Sequence, residues 1–176
     1  MLSVVASLLV IQTVSSSGIC LSELPANIRP GLVQREMTRL MERSETFREQ
    51  CVRIASAPYV RVVFGVSREV PDGSRGQTTI ERFEAGAMVA WVTLGFAEDY
   101  VELIPHELEH VIEQIDRVPL PQEAAARRAW RTRSGSYETI RALAAGVRAR
   151  QEYDGLAVET IQADGRKPPR PRHPFD

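Results

Sequence analysis

Two histidines four residues apart, His106 and His110, with Glu107 directly after the first, constrain this chain more than any other feature. Residues at i and i+4 share one face of an α-helix, so both imidazoles can converge on one point only if this stretch is helical. Neutral imidazole nitrogen binds a divalent metal ion at about 2.0–2.1 Å. Glu107 stands about 100° round the helix from His106, where its carboxylate can reach a water beside such an ion. The chain holds three histidines, and two of them are used here.

The flanking pattern supports the helix. Ile104, Leu108, Val111, Ile112 and Ile115 form an apolar stripe at helical spacing, and His106, His110, Glu113 and Arg117 fall on the other side. An amphipathic helix with a solvated polar face would share that periodicity. The ordered His-Glu-x-x-His set separates the two readings and favours metal binding. Pro105 is expected in the first turn, where its missing N–H costs little.

Two histidines do not complete a catalytic metal site, which usually has three protein ligands. Glu138, 28 positions after His110, is the leading third ligand. It is expected at the start of a helix from Tyr137 to Tyr153 whose Ala142, Ala145, Gly146 and Ala149 permit a close approach to the motif helix. Asp116, ten residues after His106, is the runner-up because it stands where the metzincin pattern H-E-x-x-H-x-x-G-x-x-H, which this stretch resembles in part, implies a third ligand; the glycine that would turn the chain back is replaced by Glu113. Glu113 itself is better placed to support His110 than to bind metal.

Elsewhere, Leu32 to Ala55 reads as a helix ended by Pro58, and Tyr59 to Val66, Gln77 to Phe83 and Ala87 to Leu94 as strands. Val70 to Ser74 is a turn. Gln122 to Arg131 reads as a short helix. Three short strands before the motif helix make a small antiparallel sheet the expected partner of the helices.

At 176 residues the chain has room for one domain with a proper core. A net charge of −1 argues against a nucleic-acid partner, which would need a basic face. Leu2 to Val14 is apolar and uncharged and leads into Ser15-Ser16-Ser17-Gly18, the pattern of a secretory signal over residues 1–18. The run is too short for a stable membrane span of about 20 residues. A secreted or periplasmic domain over 19–162 is expected, followed by a disordered basic, proline-rich tail over 163–176 that contains His173. In an oxidising compartment Cys20 and Cys51 would pair in a disulfide. Ile19, where a small residue is expected, argues against lipidation of Cys20.

His106 to His110 followed by Glu138 resembles the gluzincin group of zincin metallopeptidases. The stretch Val101 to Gln114, with Tyr137-Glu138-Thr139 downstream, also resembles small exported bacterial proteins with an HELEH motif, over Leu32 to Glu152. The gluzincin N-E-x-x-S-D signature is absent. The resemblance implies an α+β, zincin-like fold in which a strand runs along the cleft beside the motif helix, with Ala87 to Leu94 as its counterpart. It further implies Zn²⁺ on His106, His110 and Glu138, Glu107 as general base, and a peptide or protein substrate. Tyr137 and Tyr153 are weaker candidates for an oxyanion donor. The alternative function is a metal-binding or interaction protein that retains the fold without turnover.

Overall fold

The computed structural model describes residues 23–70, 73–96 and 98–156. The expected signal segment, Cys20 and the proline-rich tail with His173 lie outside them. The architecture is α+β: five α-helices and a small mixed sheet among the described residues. The sheet has the order β1-β2-β4-β3, built from Ile28–Arg29 (β1), Val60–Ser67 (β2), Gly76–Arg82 (β3) and Met88–Gly95 (β4).

Alternation builds one face of this sheet. Val60, Val62 and Phe64 of β2 and Met88, Ala90, Val92 and Leu94 of β4 turn inward and are buried. The sheet is mixed rather than antiparallel, which corrects the expectation above. β2 runs parallel to β4, in the register Val62↔Ala90, and only β3 is antiparallel to it, with Thr78↔Val92. After Ser67 the chain crosses the end of β4, where Gly95 N donates to Arg75 O (2.7 Å) and Phe96 N to Ser67 O (2.8 Å), and enters β3 on the far edge. Inward alternation is the same for either strand direction, so the sequence pattern alone does not encode it.

The expected first helix is broken in two, α1 (Gln34–Arg43) and α2 (Glu45–Ala55). Ser44 between them has extended backbone, and its Oγ accepts from Phe47 N (3.1 Å), capping α2. Glu152 completes the cap from a distance. Its carboxylate accepts from Ser44 Oγ, Thr46 N and Thr46 Oγ1 at 2.7–2.9 Å, placing a negative charge at a helix N-terminus.

The motif helix α3 runs Tyr100–Ile115, with Asp99 Oδ1 accepting from Val101 N (3.2 Å) as its cap. Starting there puts Pro105 inside the helix rather than in its first turn, immediately before His106. The predicted apolar stripe holds: Ile104, Leu108, Val111, Ile112 and Ile115 are all buried in the core. The other side of α3 is covered too, by α5 (Ile140–Asp154), whose Ala142, Ala145, Gly146 and Ala149 are buried. Two further corrections concern the segment between them. Gln122 to Arg131 is a six-residue helix α4 (Leu120–Ala125) and a strand β5 (Ala129–Arg131). Tyr137–Thr139 is a strand, β6, paired antiparallel to β5, so Glu138 lies in a hairpin just ahead of α5 and not on it.

Gly146 sets the distance between α3 and α5. A Cβ there would stand 2.8 Å from Glu102 O and 3.2 Å from His106 Cβ. Gly146→Val should therefore force the helices apart and lower stability by about 1–3 kcal/mol. Urea denaturation checks this; an unchanged midpoint would mean the helices do not meet at Gly146.

Candidate metal centre

The three expected ligands come together. His106 and His110 project from successive turns of α3, their ring centroids 5.1 Å apart and nearly perpendicular at 82°. Glu138 reaches over from β6 and spans both. Its Oε2 is 3.3 Å from His106 Nε2 and its Oε1 3.5 Å from His110 Nε2. A divalent ion held tetrahedrally at about 2.0–2.2 Å separates its ligand atoms by about 3.4 Å. Two imidazole nitrogens and a carboxylate at these spacings fit such an ion, and the His106–His110–Glu138 cluster could hold one. A carboxylate on the shared edge supplies the negative charge, and no fourth ligand closes the cluster among the described residues.

Glu113 fixes one ligand from behind. It is buried, and its Oε2 lies 2.9 Å from His110 Nδ1, which leaves Nε2 to face Glu138. Its Oε1 accepts from Thr139 Oγ1 (2.6 Å), and the same hydroxyl accepts from Ala142 N (2.9 Å) to cap α5. Thr139 follows Glu138 directly, so one buried carboxylate positions His110 on α3 and the junction that carries Glu138 on β6. Glu113 thus supports His110 rather than completing the ligand set. Asp116 is no ligand either. It caps the end of α3 and pairs with Arg53 (2.7 Å) and Arg141 (2.9 Å) away from the histidines.

Glu107 faces the same side as the ligands and is 3% exposed. Thr78 Oγ1 of β3 donates to its Oε2 (2.7 Å). Gly76 makes the room: a Cβ there would lie 2.6 Å from Glu107 Oε1. Burial pushes the Glu107 carboxyl above the usual range, against the pull of His106 and His110. Burial pushes Glu138 up as well, but hydrogen bonds and charge from both histidines outweigh it and hold the carboxyl down at about 2. For His110 burial acts downward, while Glu113, Glu138 and Glu107 raise the imidazole to about 10.

These groups open into a cleft of about 390 Å³. β3 forms one wall, with Gly76, Gln77 and Thr78, and the tip of the β5–β6 hairpin forms the other. The strand beside the cleft is therefore β3, not the Ala87–Leu94 strand, which as β4 is internal to the sheet. Tyr137 lines the cleft, with Arg131 stacked over its ring at 5.4 Å. Tyr153 packs against the core beneath Arg43 and does not line the cleft. Cys51 is sealed in the core, where burial pushes its thiol up to about 12; its expected partner Cys20 lies outside the described residues.

Sequence reasoning missed Gly76, Thr78 and Thr139 as supporting residues. Thr139 carries a local signal, a threonine just ahead of a helical run. Gly76 and Thr78 carry none, because their roles arise from a contact with α3 about thirty residues away. No protein-family model, curated protein or solved structure matches the chain.

Metal ligation requires neutral imidazole, whereas His110 in the metal-free protein stays protonated until pH rises towards about 10. Metal uptake near neutral pH should thus expel about one proton, and apparent affinity should rise with pH. Calorimetric titration of the metal-free protein in two buffers of different ionisation enthalpy reads this directly; a heat independent of buffer contradicts it. Glu113→Gln should weaken metal affinity by about 10–100-fold with the ligands intact, measured by competition with a chromogenic chelator.

Proposed function

We propose that this protein is an exported, zinc-dependent peptidase of zincin-like fold. The observation that carries the reading is the placement of Glu107: a buried carboxylate beside a His₂Glu cluster, at the floor of an open cleft with a sheet edge along it. Zinc suits two imidazoles and one carboxylate and, when bound, supplies Lewis acidity and lowers the pKa of water towards about 7.

The residues of the chain have distinct parts in this proposal. His106, His110 and Glu138 hold the ion, and Glu113 keeps His110 turned towards it. Glu107 takes a proton from water in the cleft as that water attacks the peptide carbonyl. Its raised proton affinity then suits it to hold the proton and return it to the leaving amine. Thr78 and Gly76 keep the carboxylate aimed, one by donating to it and the other by leaving it space. The outer edge of β3 has no strand partner among the described residues, which supports an extended peptide lying along that wall.

Glu107→Gln should retain the metal while lowering kcat by about 10²–10⁴-fold, followed by elemental mass spectrometry and cleavage of mixed peptide pools. Gly76→Ala should also retain metal and lose activity, because its Cβ displaces the Glu107 carboxylate. Full turnover in Glu107→Gln would remove it as the base. Stoichiometric metal without hydrolysis in the wild type would favour the alternative, a metal-binding protein without turnover.

A further inference from the structure

The floor of the cleft is occupied by the metal cluster and Glu107, so selectivity has to come from the walls. Their apolar content is modest, with Ile80, Leu120 and Tyr137 among mainly serine, threonine and glutamine. Arg133 is the one basic residue of the lining besides the two histidines.

The arginines near other carboxylates are already used. Arg53, Arg75, Arg128, Arg141 and Arg150 all form ion pairs. Arg133 has no hydrogen-bond or ion-pair partner among the described residues; it is exposed, and it lines the cleft from the hairpin tip. Its backbone is held by the hairpin tip itself. Thr132 N donates to Ser136 O (2.9 Å), Gly135 N donates to Thr132 O (3.1 Å), and the Thr132 and Ser134 hydroxyls are 2.8 Å apart. The same hairpin carries Glu138, which ties the position of Arg133 to that of the metal cluster.

Charge gives the cation a purpose. Glu107, Glu113 and Glu138 would make the cleft unfavourable to an anionic substrate. A bound cation offsets this at the floor, and Arg133 offers the second positive centre at the wall. A guanidinium presents a planar fork that matches a carboxylate bidentately.

We propose, on the basis of the peptidase reading above, that Arg133 selects peptides presenting a carboxylate on the hairpin side of the cleft. The carboxylate is either an Asp or Glu side chain or a free C-terminus. The test digests two pools of random octapeptides, one with free and one with amidated C-termini, and reads the cleaved bonds by mass spectrometry. Enrichment of Asp or Glu at one position in both pools identifies the side chain. Cleavage confined to the free pool, near its C-terminus, identifies the terminal carboxylate. In either case Arg133→Ala should lower kcat/KM for the best peptide by about 2–5-fold, Arg133→Lys should restore part of it, and Arg133→Glu should shift preference towards Lys and Arg. An unchanged profile in Arg133→Glu overturns the inference and leaves the peptidase reading intact. If the wild type cleaves neither pool, metal-loaded Glu107→Gln is used to capture peptides from the same pools. Arg133-dependent capture of carboxylate-bearing peptides then supports the inference although the peptidase reading has failed, and unselective or absent capture overturns both.

Discussion

A single buried carboxylate holds the candidate site together. Glu113 is 1% exposed, and taking a charge out of water is costly unless its oxygens are satisfied. One oxygen meets His110 Nδ1 and the other accepts from Thr139. These two contacts face different elements, so satisfying Glu113 requires α3 and the β6–α5 junction to sit in one relation. That relation is the one that brings Glu138 to both imidazoles. The small residues of α5 permit the approach, and Glu113 makes it specific.

The opposite flank of α3 is secured by a second set of polar contacts. Gln50 Nε2 donates to Pro105 O (2.9 Å) and to Glu109 Oε2 (2.7 Å). The other oxygen of Glu109 accepts from Arg141, which also pairs with Asp116, as Arg53 does. The two glutamates of the motif consequently serve opposite sides: Glu107 faces the cleft and Glu109 anchors the helix to α2 and α5. Pro105 removes one helical N–H directly before His106, and its carbonyl is bound from α2 there. The histidines rise from a helix fixed on three sides by sheet, α2 and α5.

Much of this was legible in the sequence where the signal is periodic or local. The stripe from Ile104 to Ile115, the three strand segments and the His106–His110–Glu138 set all came from spacing and residue type. The break at Ser44 was missed because its cap is completed by Glu152, more than a hundred residues later. The strand character of Tyr137–Thr139 was missed because it depends on pairing with β5, which a single segment does not encode. Strand direction and order were hidden for the same reason. Alternation reports which face is buried but not which neighbour lies beside it, so β3 rather than β4 at the cleft emerged only with the sheet.

X-ray absorption at the zinc edge, on the full chain loaded with one equivalent of zinc, tests the His106–His110–Glu138 centre most directly. Zinc bound by two imidazole nitrogens and carboxylate or water oxygen at about 2.0–2.2 Å, with no sulfur, is expected, together with loss of the carboxylate contribution in Glu138→Ala. A sulfur-containing shell, a shell unchanged in Glu138→Ala, or zinc that washes off the wild type would contradict it.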